Sequence, residues 1–232
     1  HNLIYIVIIA LVGAIALGIS HFISQREHNA IVKNDRLNWL RKQSFYTLDA
    51  IATLKAAGCK PEILEKLNQH AMLQIEEISI LAPDSDLMTQ VNNQKETADR
   101  TAAGQGVFNS DKDLKRFQIY INFTEKLLGK MLKKGKLSPV LAENDGQELY
   151  WLNISMVADA HIYQAKQLLL QDDKLLALSH LKHAKAVIVR AMVPQQKKQP
   201  KLDLIQPQIN AIQPRKNNHG GALEESLDDF LK

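Results

Sequence analysis

Three histidines, His161, His180 and His183, are the residues of this sequence best suited to chemistry by type and spacing. Imidazole nitrogens ligate zinc and copper, and two histidines three apart share one face of any helix that carries them. No carboxylate or thiol stands beside them to complete a ligand set, and Lys182 and Lys185 add positive charge where a cation would have to sit. A solvated or partly packed histidine group is therefore expected, with no metal. The carboxylates are equally poor machinery. Asp84 and Asp86 open like a calcium loop but lack its glycine turn and its terminal bidentate glutamate, so helix capping accounts for them. Asp172 and Asp173 read as a turn and a cap. Glu76 and Glu77 are adjacent on a helix, point to different faces and make a poor acid and base pair. Cys59 has only Lys60 beside it, which does not make a nucleophile. Phosphate loops, nucleophile elbows and zinc-protease motifs are missing from the sequence. No catalysis and no cofactor are expected.

What positions these residues starts with residues 3–23, a run free of Asp, Glu, Lys and Arg and dominated by Leu, Ile, Val, Ala and Gly. A helix of about 20 apolar residues satisfies its own backbone and crosses the hydrocarbon layer. The run exceeds the roughly 7 to 15 apolar residues of a signal peptide, no Lys or Arg precedes it and no small-x-small cleavage site follows, so an uncleaved single-pass anchor over residues 1–24 is expected. Arg26, Lys33, Arg36, Arg41 and Lys42 follow it, offset by Glu27 and Asp35. By the positive-inside rule that flank faces the cytoplasm of a plasma or inner membrane, with the N-terminus outside. Within the run, Ala10, Ala14 and Gly18 recur every four residues, a face on which a second span could approach closely and form a homodimer.

The remainder reads as all-α: a small helical bundle over residues 25–193, a disordered linker rich in Pro, Gln and Lys over 194–221, and an amphipathic acidic peptide at 222–232. Leu37, Leu40, Leu48, Ile51 and Leu54 continue the first helix to a stop at Gly58. Pro61 suits the first turn of a second helix, whose stripe is Leu64, Leu67, Ala71, Ile75 and Ile78. A short helix through Leu87, Met88 and Val91 precedes a polar connection at about 92–109, read as mobile because it lacks an apolar period. Ser110 caps a helix carrying Leu114, Phe117, Ile121, Leu128 and Leu132. A short segment from Pro139 to a turn at Asp145 and Gly146 leads into a hairpin over about 147–192. Its faces are expected at Leu149, Leu152, Met156, Ala160 and Tyr163, and at Leu178, Leu181, Ala184, Ile188 and Met192. No second copy of this hairpin recurs at a fixed period.

Net charge is +4, from 29 Lys and Arg against 25 Asp and Glu. The strongest local bias is Lys126, Lys130, Lys133, Lys134 and Lys136, a solvated helix end that would also meet anionic lipid headgroups or an acidic partner. Without aromatic residues interleaved for stacking, nucleic acid is not an expected partner. The one cysteine has no disulfide partner in the sequence, which suits a reducing compartment. In the last residues Leu223, Leu227, Phe230 and Leu231 fall at i, i+4, i+7 and i+8 on an acidic background, the pattern of a helix displayed for a groove. Such a peptide takes a partner's groove, docks on its own basic domain, or only solubilises the end. The layout resembles, in architecture alone, bacterial division and polar-assembly anchors. The function expected is a membrane-anchored cytoplasmic adaptor or scaffold that recruits a protein partner through its helical domain and C-terminal peptide. The alternative is a periplasmic, repeat-like helical binding module accessory to an envelope complex.

Overall fold

The computed structural model describes residues 2–106, 108 and 110–213 of the chain. The described residues are all helical, with no strand among them: α1 (Asn2–Ala56), α2 (Pro61–Leu81), α3 (Asp86–Arg100), α4 (Asp111–Lys133), α5 (Pro139–Leu170), α6 (Lys174–Arg190) and α7 (Gln195–Ile212). They form two compact units. The first holds α1, α2 and α3; the second holds Ala57–Cys59 and the chain from Gly104 onward, with α4 to α7.

α1 runs for 55 residues without a break. Residues 3–23, about 31 Å of helix, are long and apolar enough to cross a membrane, and none of that span is buried. Residues 24–36 are exposed as well, a helical stalk of about 20 Å. Burial begins at Leu40 and recurs at Ser44, Thr47, Leu48, Ile51 and Leu54, the helical period that lays α2 and α3 against this half of α1. At the foot of the stalk Arg36 donates two hydrogen bonds to the Glu77 carboxylate of α2, from Nε at 2.6 Å and Nη2 at 2.8 Å, and its guanidinium lies 4.4 Å from the centre of the Trp39 ring. The shared hydrogen bonds hold the arginine pKa up and the glutamate pKa down. Gly58, with φ of 88°, takes the left-handed conformation that ends the helix, as its position in the sequence predicts.

α2 buries Ile63, Leu67, Ala71, Gln74, Ile75 and Ile78, so the core-facing residue of the first turn is Ile63 rather than Leu64. The connection expected to be mobile at about 92–109 is helical as far as Arg100. Ser85 caps it by accepting from the Met88 amide, and only Val91 and Ala98, two turns apart, are buried on α1 and α2. Polar bonds to α1 supply the rest: Lys55 Nζ donates to the Asp99 carbonyl at 2.9 Å, and Arg41 reaches Gln90.

In the second unit Ser110 caps α4 as expected, and α4 ends in a Schellman turn: Lys136 N donates to the Met131 carbonyl, and Gly135 has φ of 71°. The turn expected at Asp145 and Gly146 does not occur. α5 starts at Pro139 under a Ser138 cap and continues to Leu170, because full burial of Leu149 outweighs the roughly 1 kcal/mol cost of a helical glycine. α5 packs on α6 through fully buried Ala158 and Ala165 against Ala177, Leu181, Ala184 and Ile188. The face predicted for α5 holds at Leu149 but is rotated beyond it, where Met156, Ala160 and Tyr163 line a separate cavity of about 240 Å³ with Phe108; on α6 the predicted Leu181, Ala184 and Ile188 are buried and Met192 is exposed.

The disordered linker expected from residue 194 is corrected by α7. Ile205 and Ile209 are buried against α6, and Lys197 and Lys201 pair with Glu148 and Asp159 of α5, each at 2.6 Å. Pro200 and Pro207, seven apart, both lie on the solvent side, as do Gln196 and Asp203, whose carbonyls lose an amide partner and face water instead. Residues 214–221 and the 222–232 peptide, with Leu223, Leu227, Phe230 and Leu231, lie outside the described residues.

Candidate functional site

A concavity of about 730 Å³ lies in the first unit, between the outer face of α2 and the start of α3. Its apolar floor is Met72, Leu73 and Ile75 from α2 with Met88 from α3; its rim is Glu65, Asn68, Gln69, Glu76, Ser79 and Asn92. Leu73 is 60% exposed and Ile80, on the same helix, 73%, so α2 is apolar on two sides, one turned to α1 and one open. The Ser85 cap fixes where α3 begins and hence where Met88 stands. Unbranched methionine side chains adapt to differing apolar surfaces, and a floor of this kind under an acidic and amide rim suits an amphipathic helix. Sequence reasoning absorbed Ile75 into the core stripe and passed over Met72 and Leu73. The available signal was the run Ala71, Met72, Leu73, which no single helical stripe accommodates.

The expected residues fall elsewhere. His161 of α5 does meet His180 and His183 of α6: the Nδ1 atoms of His161 and His180 are 3.0 Å apart, and the His183 ring is tilted by 45° against that of His161 with their centres 4.2 Å apart. One hydrogen bond between two ring nitrogens needs one of them unprotonated. Among the described residues no group of three or more His, Cys, Asp or Glu side chains is arranged to hold a metal ion. Burial, then the neighbouring His183 and His180, push the His161 pKa below its ordinary value, and Asp111 opposes them in part. The folded chain thus binds this proton less readily than the unfolded chain. The stability it contributes is complete above about pH 6.5, the ordinary histidine value, and is lost as pH falls through the lowered one. Thermal unfolding followed by circular dichroism should show a midpoint that drops between pH 7 and pH 5, and His161→Gln should flatten that slope.

Asp173 caps α6 by accepting from the Leu176 amide, and Asp172 takes the turn with φ of 60°. Ser85, between Asp84 and Asp86, is the cap of α3. Glu77 is engaged with Arg36 while Glu76 lines the groove, so the two serve different faces. Cys59 is buried. Lys126, Lys130, Lys133, Lys134 and Lys136 are all exposed at the end of α4. Ala10, Ala14 and Gly18 form an exposed stripe on α1, and nothing lies within 4 Å of a Cβ built at Gly18.

No family model matches the chain, and no curated protein or solved structure is detectably similar to it.

Proposed function

We propose that this chain is a membrane-anchored adaptor that holds a protein partner at the cytoplasmic face of a plasma or inner membrane. The observation that carries this reading is the continuity of α1. One helix is both the apolar span and the wall on which α2 and α3 pack, so the groove of Met72, Leu73 and Met88 is held at a fixed offset from the span. A soluble binding module needs no such coupling, whereas a recruiter gains effective concentration from it. The basic flank Arg26, Lys33, Arg36, Arg41 and Lys42 favours the cytoplasmic side. The C-terminal peptide supplies a second contact, and Lys126 to Lys136 a third for acidic partners or headgroups. Pairing of two anchors through Ala10, Ala14 and Gly18 would present two grooves together.

Crosslinking in membranes tests the reading. Leu73→Asp, at an exposed position, should leave the helical signal unchanged and reduce crosslinked partner about tenfold, since a desolvated leucine contributes about 1.5–3 kcal/mol. Deleting residues 221–232 should reduce it further. An unchanged set of crosslinked proteins in both variants would sink the adaptor. Alkaline phosphatase activity from a fusion at Lys232, in place of cytoplasmic fluorescence, would favour the periplasmic binding module instead.

A further inference from the structure

α6 has a face that nothing in the described chain covers. Opposite the buried Ala177, Leu181, Ala184 and Ile188 runs a stripe at helical spacing: Leu175, Ser179, Lys182, Ala186 and Val189. Leu175 is 82% exposed and Val189 51%. The helix KLLALSHLKHAKAVIVR contains no acidic residue, so Lys182 within the stripe and Lys174 and Arg190 at its two ends make this face basic beyond the exposed Asp172 and Asp173 of the preceding turn.

One segment of this chain matches that surface in both respects. In residues 222–232, Leu223, Leu227 and Phe230 share a helical face, while Glu224, Glu225, Asp228 and Asp229 take the rest of the circumference. The tether fits too. α7 runs antiparallel to α6, with Lys198 Nζ on the Val189 carbonyl and Lys185 Nζ on Gln206, so its last residue lies toward the start of α6. Residues 214–221 reach at most about 28 Å, and α6, 17 residues long, spans about 25 Å. We infer that residues 222–232 dock along the outer face of α6 of the same chain, with Leu223, Leu227 and Phe230 along the part of the stripe between Leu175 and Ala186 and the carboxylates toward Lys174, Lys182 and Arg190. A partner that takes this peptide must first displace it from α6. The inference does not depend on the adaptor reading, because it concerns the chain alone.

The test uses the full chain in detergent at low protein concentration, with Ser179→Cys and Ser226→Cys, buried Cys59 left in place, and mild oxidation followed by non-reducing electrophoresis and peptide mass mapping. The expected product is a monomeric species bridged between positions 179 and 226. Leu227→Glu should slow its formation about tenfold, the effect of losing one buried leucine, and high salt should slow it as well. Lys182→Glu with Arg190→Glu should also slow it, and adding Glu224→Lys and Glu225→Lys should restore it, a rescue that a merely flexible tail does not give. Bridging that is insensitive to Leu227→Glu overturns the inference. A bridge found only in dimers overturns it too, and assigns the face to a second copy.

Discussion

Val12→Arg combined with Ile15→Arg is expected to move the protein from the membrane pellet to the soluble fraction while its helical content stays the same. Each arginine at the centre of a span costs about 2.5–3.5 kcal/mol in insertion, so the pair costs about 5–7 kcal/mol. Residues 3–36 are all exposed, and burial starts only beyond them, so nothing in the core of the first unit depends on the span. Surface changes of this kind alter folding stability by no more than about 0.5 kcal/mol. Carbonate extraction of membranes measures the first effect and thermal melting of the detergent-purified protein the second. Loss of the parent protein to the carbonate wash would mean that the apolar length of α1 is not inserted. A large drop in melting temperature would mean that the span carries stability the burial pattern does not account for.

The parts of the fold that were legible in the sequence are those built by large apolar residues at helical spacing. Leu40, Leu48, Ile51 and Leu54 marked α1; Phe117, Ile121 and Leu128 marked α4; Leu181, Ala184 and Ile188 marked α6. Gly58 and Ser110 gave end signals that a local rule reads correctly. What stayed hidden was helix held by small or sparse contacts. The first turns of α3 were marked by Leu87, Met88 and Val91, but its continuation from Asn92 to Arg100 buries only Ala98 and is held by a bond from Lys55, a group that sequence patterning scores as solvent. α5 packs through Ala158 and Ala165, whereas the eye follows Met156 and Tyr163 to the wrong face. α7 carries two prolines that argue against a helix in isolation. Their seven-residue separation puts both toward water, and Ile205 and Ile209 supply burial that a composition of Gln, Lys and Pro conceals.

The candidate site was less legible than the fold for a related reason. A groove is made by residues left over after the core is filled, and a stripe search spends every apolar residue on the core. The histidines were found in sequence because their chemistry is conspicuous, and in the structure they pack against one another, with the His161 pKa pushed down by burial and its two neighbours. Met72 and Leu73 are conspicuous only once α2 is seen to have a second apolar side.

The largest loss of stability is expected from Leu181→Ala. Leu181 is fully buried at the meeting of α5, α6 and α7, within a cluster that includes Ala158, Ala165, Ala177 and Ala184. Leucine to alanine in a core costs about 2–5 kcal/mol, and the spread reflects how far the surroundings collapse into the space vacated. Alanines have no rotamer with which to fill it, and closely packed small residues already bring the helices together. The upper half of that range is therefore expected, read as a lowered midpoint in urea with an unchanged slope. The loss should reach α7 first, because a helix with two prolines has little intrinsic preference to fall back on and is held by Ile205 and Ile209 in this same cluster. Trypsin should then cut at Lys197, Lys198 and Lys201 faster than at sites in α4. Cleavage at equal rates would place α7 outside the cooperative contact that Leu181 makes. Ala184→Leu provides the converse case: over-filling the same contact should cost about 1–3 kcal/mol by forcing α5 and α6 apart, although it adds apolar volume.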